Sequence, residues 1–213
     1  MSSIIQEKLT SGTLKAWWDY RTGTLNDLAG IYNGTATGTP YFNRTGICLD
    51  GVNDYITTGD LDIEDNLTIF AYFQADSIDH AGGGTFPRIV DKASAYGMFI
   101  TEATGQLQFF TTGVSDAQQP STNAVELGRF VSGAGTFDSA AGIRKVFLNG
   151  LLDSTDTGLT GDIDTSANAI IIGDNNNNNR KFKGCMGAIL IFEETLTESE
   201  IARLHGEVIN KTF

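Results

Sequence analysis

The stretch from Ile170 to Glu207, IIIGDNNNNNRKFKGCMGAILIFEETLTESEIARLHGE, constrains the fold more than any other part of the chain. A short apolar strand, a polar loop, a longer apolar strand and a capped helix follow one another directly. Cys185 to Phe192 is apolar on both faces, so that strand has to be covered on both sides; the N-terminal arm or the final helix is available as the second cover. The helix is specified by Thr197 as N-cap, Glu200 at capping-box distance, and Ile201, Leu204 and Val208 on one face. Gly206 is expected to mark its end.

Elsewhere, turn signals separate short apolar runs of period two about every ten residues. Twenty-five glycines against three prolines, with many Thr, Asn and Asp residues, suit an all-β chain with frequent turns. Strands are expected at Leu14–Tyr20, Ile47–Asp50, Tyr55–Thr58, Leu67–Ala75, Arg88–Asp91, Gly97–Thr101 and Leu107–Thr112. Arg129–Gly135, Ile143–Asn149, Ala169–Gly173 and Phe182–Phe192 complete the set. Ser3 to Leu9 reads as a helical turn or two, with Ser3 and Gln6 at capping-box spacing. Residues 1–13 are therefore assigned to an N-terminal arm and residues 14–213 to one domain. Asn149-Gly150 supplies the two positive φ values of a type I′ hairpin, and Asn175–Asn179 reads as a hairpin loop tip.

Twenty-six acidic residues against 14 basic ones give a net charge of −12, which repels nucleic-acid phosphate and anionic lipid. Neither nucleic acid nor membrane is expected as a partner. Apolar runs such as Ala188–Phe192 fall far short of the roughly 20 residues needed to cross a bilayer. MSSIIQEKLTSGTLKAWW has no basic n-region, long apolar stretch or small-residue cleavage site, so no secretory signal is expected. Cys48 and Cys185 are no disulfide framework; they read as two buried apolar thiols, with a bridge left open if their strands are neighbours.

Four segments in order resemble laminin-G-like domains of the concanavalin A-like superfamily. They are LKAWWDYRTGTLNDLAGIYNGTATGTP (Leu14–Pro40), ICLDGVNDYITTG (Ile47–Gly59), RFVSGAGTFDSAAGIRKVFLNG (Arg129–Gly150) and the closing segment. The resemblance implies an all-β jelly-roll sandwich of two antiparallel sheets with roughly 12 to 14 strands, carrying a short N-terminal arm and a C-terminal helix. The related β-glucanases carry Glu-x-Asp-x-x-Glu on one strand, but none of the glutamates here has Asp two positions on. No Gly-x-Ser-x-Gly elbow occurs, and His80 and His205 are too few for a His-rich metal site, so no enzyme is expected.

Relatives often hold calcium at the sandwich rim, and the resemblance makes Asp50, Asn53 and Asp54 the candidate ligands here. Gly187 stands where an acidic residue is common in the late strand, a departure from that pattern. Asp60-x-Asp62-x-Glu64-Asp65 and Asp162-x-Asp164-x-Ser166-x-Asn168 echo the start of an EF-hand loop but lack its Gly. Rim loops with amides and charges are the candidate glycan or partner contacts: His80, Asn177, Asn178 and Arg180, with Asp116–Gln119 nearby in character.

Two functions stay open. A lone lectin-like domain with no catalytic partner and no export signal points to a structural protein of a virion, such as a tailed-phage surface or capsid decoration component assembled in the host cytoplasm. Its partners would be the major capsid protein, other virion proteins or further copies of itself. The alternative is a carbohydrate-binding lectin or adhesin, with calcium as its only candidate cofactor.

Overall fold

The computed structural model describes residues 3–78 and 86–210. In chain order the elements begin with α1 (Ile4–Ser11), β1 (Leu14–Asp19), β2 (Thr35–Thr37), β3 (Tyr41–Asn43), β4 (Gly46–Asp50), β5 (Tyr55–Thr57) and β6 (Asn66–Ser77). Then come β7 (Arg88–Lys92), β8 (Tyr96–Ile100), β9 (Gln106–Thr111), β10 (Gln118–Ala124) and β11 (Phe130–Asp138). The chain closes with β12 (Ile143–Leu148), β13 (Leu151–Thr157), β14 (Ile170–Ile172), β15 (Lys183–Phe192) and α2 (Glu198–Ile209).

Two antiparallel sheets form a sandwich. The first is eight-stranded in the order β13-β12-β11-β6-β15-β4-β3, with β1 also on β15; the second is seven-stranded in the order β10-β9-β8-β7-β14-β5-β2. One edge of β15 is continuous with β6. The other is shared, β4 pairing with its first half and β1 with its second. Gly187 sits at that changeover, where an added Cβ would lie 2.7 Å from the Tyr72 ring. The position that relatives often fill with an acid therefore has no room for a side chain.

Strand alternation divides the apolar residues between two cores. Between the sheets pack Trp18, Phe73, Tyr96, Phe109, Ile172 and Ile189, among others. On the outer face of the eight-stranded sheet, Trp17, Phe70, Leu190 and Phe192 meet Ile4 and Ile5 of α1 and Ile201, Leu204 and Val208 of α2. Both helices thus supply the second cover that β15 requires. Adjacent tryptophans on β1 serve one core each.

The helix caps follow the sequence. Ser3 accepts a hydrogen bond from the Gln6 N–H, and Thr197 and Glu200 form the full capping box. Helix α2 runs three residues past Gly206, to Ile209, because Val208 is buried against the sheet. Asn149 and Gly150 both have positive φ and close the β12–β13 hairpin.

Three expectations need correction. The strands β2, β3, β10 and β13 were not anticipated; β2 and β3 are exposed throughout, so no burial period marks them. Asn175–Asn179 is no hairpin tip, since β14 and β15 lie in different sheets and the segment crosses between them. Cys48 and Cys185 are direct partners across β4 and β15 and form a disulfide rather than two free thiols.

Candidate functional site

The outer face of the eight-stranded sheet is closed by helices, which leaves the outer face of the seven-stranded sheet as the broad surface open to a ligand. Tyr96, Met98 and Ile100 of β8 and Leu107 and Phe109 of β9 point into the core. The alternate residues Gly97, Phe99, Gln108 and Phe110 consequently face outward. Arg88 of β7 pairs with Phe99, and a bulge between Arg88 and Val90 turns both Arg88 and Asp91 to the same side.

These residues form a groove of about 600 Å³, whose charged lining residues are Arg88, Arg180 and Asp91. Its backbone is a stacked ladder. The Arg88 guanidinium lies 4.4 Å from the Phe99 ring centroid and 4.7 Å from that of Phe110. Phe86 packs on Phe99 at 5.1 Å, and Arg180 lies 5.1 Å from the Phe86 centroid. Phe86 meets Phe99 edge-on at an interplanar angle of 60°, and each cation–π contact of the two arginines is worth roughly 0.5–2 kcal/mol. Gly97 makes room for the ladder: a Cβ there would come within 2.6 Å of the Phe110 ring and 2.3 Å of the Val90 carbonyl.

Burial dominates the electrostatics. It lowers the Arg88 guanidinium to about 10, with Asp91 opposing the shift and Arg180 adding to it. Asp91 moves the other way: burial raises it despite the two arginines and a hydrogen bond from the Asn176 N–H. Arg88 Nε stands 3.1 Å from Asp91 Oδ1, yet its hydrogen is misaligned, and Nε and Nη1 have no hydrogen-bond partner among the described residues.

The asparagine-rich crossing forms the groove's second wall and is built from its own chain. Asp174 accepts the Arg180 N–H at 2.9 Å and pairs with Lys181. The Asn175 carbonyl accepts the Asn178 N–H at 3.0 Å, and its side chain accepts the Asn179 N–H at 3.1 Å. Asn177 and Arg180 line the groove, whereas Asn178 takes φ 54° at the turn. His80 lies outside the described residues. Arg88, Asp91, Phe99 and Phe110 were not singled out from the sequence, although strand alternation alone puts Phe99 and Phe110 opposite the core-facing Met98 and Phe109.

The calcium candidates serve a turn. Asp50 Oδ1 accepts the Val52 and Asn53 N–H groups at 2.7 and 3.2 Å. Asp54 accepts the Thr39 and Asp50 N–H groups at 2.7 and 3.0 Å. Burial alone would raise the Asp50 carboxyl, but these amide donors outweigh it and hold it below its ordinary range. Three of the four carboxylate oxygens are thus occupied by backbone, a poor fit to the six to eight open oxygens calcium takes. Among the described residues no group of three or more His, Cys, Asp or Glu side chains is placed to hold a metal ion.

The two EF-hand-like stretches converge on one cation, the ammonium of fully buried Lys92. Its Nζ pairs with Asp60 and with Asp62 at 3.0 Å, and donates to the Ser166 and Asn168 carbonyls at 2.8 and 2.9 Å. His205 is likewise structural: half-buried on α2, it shares a 2.8 Å hydrogen bond with Ser132, and burial lowers its pKa.

Solved structures resemble this architecture over most of the chain. Domain 4 of AbnA, an extracellular arabinanase from Geobacillus stearothermophilus solved with arabinotriose, superposes with a TM-score of 0.70 at 21% identity, covering 91% of this chain and 98% of that one. The binding domain of botulinum neurotoxin DC, solved with rat synaptotagmin II, gives 0.70 at 15% identity, over 92% of this chain. A botulinum neurotoxin type C structure, whose cell entry depends on interaction with two ganglioside molecules, gives 0.69 at 14% identity over 96% of this chain. The chain spans 52% and 53% of those two toxin chains, respectively. At such identities the likeness is one of fold. No curated protein sequence matches the chain. The family model of the concanavalin A-like lectin/glucanases superfamily matches residues 50–202, from the Asp50 turn through β15 into α2, and the chain belongs to that family.

Proposed function

We propose that this chain is a non-catalytic carbohydrate-binding module that holds a glycan in the groove on the outer face of the seven-stranded sheet. The observation that carries the reading is the Phe110–Arg88–Phe99–Phe86–Arg180 ladder, flanked by amide side chains, on the sheet face that no helix among the described residues covers. Apolar rings beside convergent polar groups are the usual means by which a rigid scaffold orients a small polar ligand. The arabinotriose bound by the AbnA domain and the gangliosides named for the type C toxin support a sugar as that ligand.

Glycan-array screening followed by calorimetry, in calcium and in EDTA, tests the reading. Saturable binding that is lost in Phe110→Ala is expected. An array without hits, or binding indifferent to Phe110→Ala, overturns it.

A second reading, compatible with the first, is a surface or decoration component of a tailed-phage virion that docks on capsid protein or on further copies. It is favoured by apolar side chains on both edges of the eight-stranded sheet. Tyr41 and Phe42 on β3 are 63% and 40% exposed, and Leu151 and Leu152 on β13 are 71% and 41% exposed. Exposed apolar edge strands are ready pairing surfaces. Mass spectrometry of particles from the native source, with sedimentation of the purified chain, decides it: a chain that is monomeric and never co-purifies with a particle rules it out.

A further inference from the structure

We infer that the chain has a second ligand site, on the opposite face of the sandwich from the groove: a pocket between β11, β12 and the first turn of α2 that takes a neutral, polyhydroxylated ligand the size of a sugar residue. The pocket shares no lining residue with the groove, so the two sites stand or fall separately.

The helices cover the outer face of the eight-stranded sheet only as far as the start of α2. There Thr136 and Asp138 of β11, Ile143 and Lys145 of β12 and residues 195–199 line a pocket of about 490 Å³, within the range that small ligands occupy. Gly135 and Phe137 face the core, so Thr136 and Asp138 face outward. The registers set Thr136 between Thr68 of β6 and Lys145 of β12.

Thr136 carries the inference. It is 1% exposed, and its hydroxyl has no hydrogen-bond partner among the described residues. The other buried Ser and Thr side chains all have one. Thr58 and Thr68 donate to the Ile170 and Glu194 carbonyls, Ser121 donates to the Asn123 carbonyl, Thr111 accepts from Arg144, and Ser132 is bonded to His205. The Thr136 oxygen is not sealed in either: the fully enclosed side-chain atoms without a partner belong to Tyr20, Arg88, Gln108 and Arg144. The little surface that Thr136 keeps therefore includes its hydroxyl, on the pocket floor. A buried hydroxyl left unpaired costs stability, and a partner entering the pocket recovers it.

The facing wall is the N-terminus of the twelve-residue helix α2. Thr197 and Glu200 take up each other's N–H groups in the capping box. The Glu198 and Ser199 N–H groups remain without an acceptor among the described residues, as first-turn amides do. Lys145 Nζ pairs with Glu198 Oε1 at 2.7 Å, and Asp138 spends Oδ1 on the Ala141 N–H at 2.9 Å while keeping Oδ2. Two carboxylates thus stand against one ammonium and the helix's partial positive end. An anion meets the carboxylates and a cation meets the ammonium and the helix end. A sugar hydroxyl, which both donates and accepts, suits donors and acceptors placed side by side.

The test is a ¹⁵N–¹H titration of the full chain, read at each backbone amide, with glucose, galactose, arabinose and N-acetylglucosamine, and with glucuronate and inorganic phosphate as anionic arms. At least one neutral sugar is expected to shift the Glu198 and Ser199 amides saturably, in wild type and equally in Phe110→Ala. Thr136→Val, which keeps the shape and removes the hydroxyl, should weaken that binding about three- to tenfold, the worth of one hydrogen bond, and should melt no lower than wild type. Thr136→Ser should retain the binding. If Thr136→Val does not fold, Thr136→Ala takes its place.

Saturable shifts confined to glucuronate or phosphate make the pocket an anion site at a helix end and overturn the neutral ligand. No saturable shift at these amides with any probe, or sugar binding that is unchanged in Thr136→Val, overturns the site and leaves the pocket to water. A Thr136→Val chain that melts well below wild type shows the hydroxyl to be bonded within the fold, which overturns it as well. None of these outcomes touches the groove reading, which Phe110→Ala decides on its own.

Discussion

Arg88 and Lys92 stand at opposite ends of β7, and their surroundings could hardly differ more. Lys92 is fully buried and meets oxygens from Asp60, Asp62, Ser166 and Asn168. Arg88 is nearly as enclosed, but it is held by ring faces and one misaligned carboxylate, with Nε and Nη1 unpaired among the described residues. A satisfied buried cation ties loops together. An unsatisfied one marks where the fold stops short of serving its own stability. Five residues of one strand therefore contain a cation met by four oxygens and a cation held by two rings and one carboxylate.

The largest effect that bears on this contrast belongs to Lys92. Lys92→Ala leaves Asp60 and Asp62 facing each other and two carbonyls without a donor, and should cost about 3–4 kcal/mol in chemical denaturation. A cost below 1 kcal/mol would erase the distinction between the two ends. Reduction of the Cys48–Cys185 bridge, which closes a loop of 137 residues, should cost about 3 kcal/mol. It is a control: glycan titrations at a temperature where the reduced chain stays folded should be unchanged, which separates lost stability from lost binding.

Arg88→Met should cost about 1–2 kcal/mol, less than Lys92→Ala, since it gives up two ring contacts and the ion pair to Asp91 but keeps an apolar chain against Phe99 and Phe110. The same variant should lose glycan binding. A destabilisation equal to that of Lys92→Ala would make Arg88 structural after all.

The smallest effect is a difference of sign with pH. Burial raises Asp91 above its ordinary 3.8, so its ionised form costs stability, and that cost is relieved as pH falls through the raised folded value. Wild type should gain on Asp91→Asn as the pH drops. Glu200 behaves oppositely: burial alone would raise it, but Lys8 and Thr197 hold it below its ordinary 4.5. Its contribution is complete above pH 4.5 and is lost as pH falls through the lowered folded value. Wild type should lose its advantage over Glu200→Gln across that window, and melting curves at several pH values read both.

Much of the scaffold was legible in the sequence because its signals are local. The capping box at Thr197, the Asn149-Gly150 turn and the two-faced apolar run of β15 each need only a few neighbouring residues. The Asp50-Gly51-Val52-Asn53-Asp54 motif was legible as a turn, but its carboxylates could not be assigned to backbone amides without knowing where Thr39 lies. The groove was harder still. Arg88 meets Phe99 and Phe110 only through the registers of β7 with β8 and of β8 with β9, together with a bulge that no local pattern announces. Lys92 finds Ser166 and Asn168 more than seventy residues away because β14 pairs beside β7. The disulfide likewise waited on knowing that β4 adjoins β15.

The first and last described turns are latched together, Glu207 accepting the Ile4 N–H at 2.9 Å and Arg203 pairing with Glu7 at 3.2 Å. Both helices lie on the eight-stranded sheet, on the opposite side of the sandwich from the groove. A tether leaving either α1 or α2 would therefore emerge behind the molecule, and whatever held that tether would find the groove turned outward, toward a facing surface.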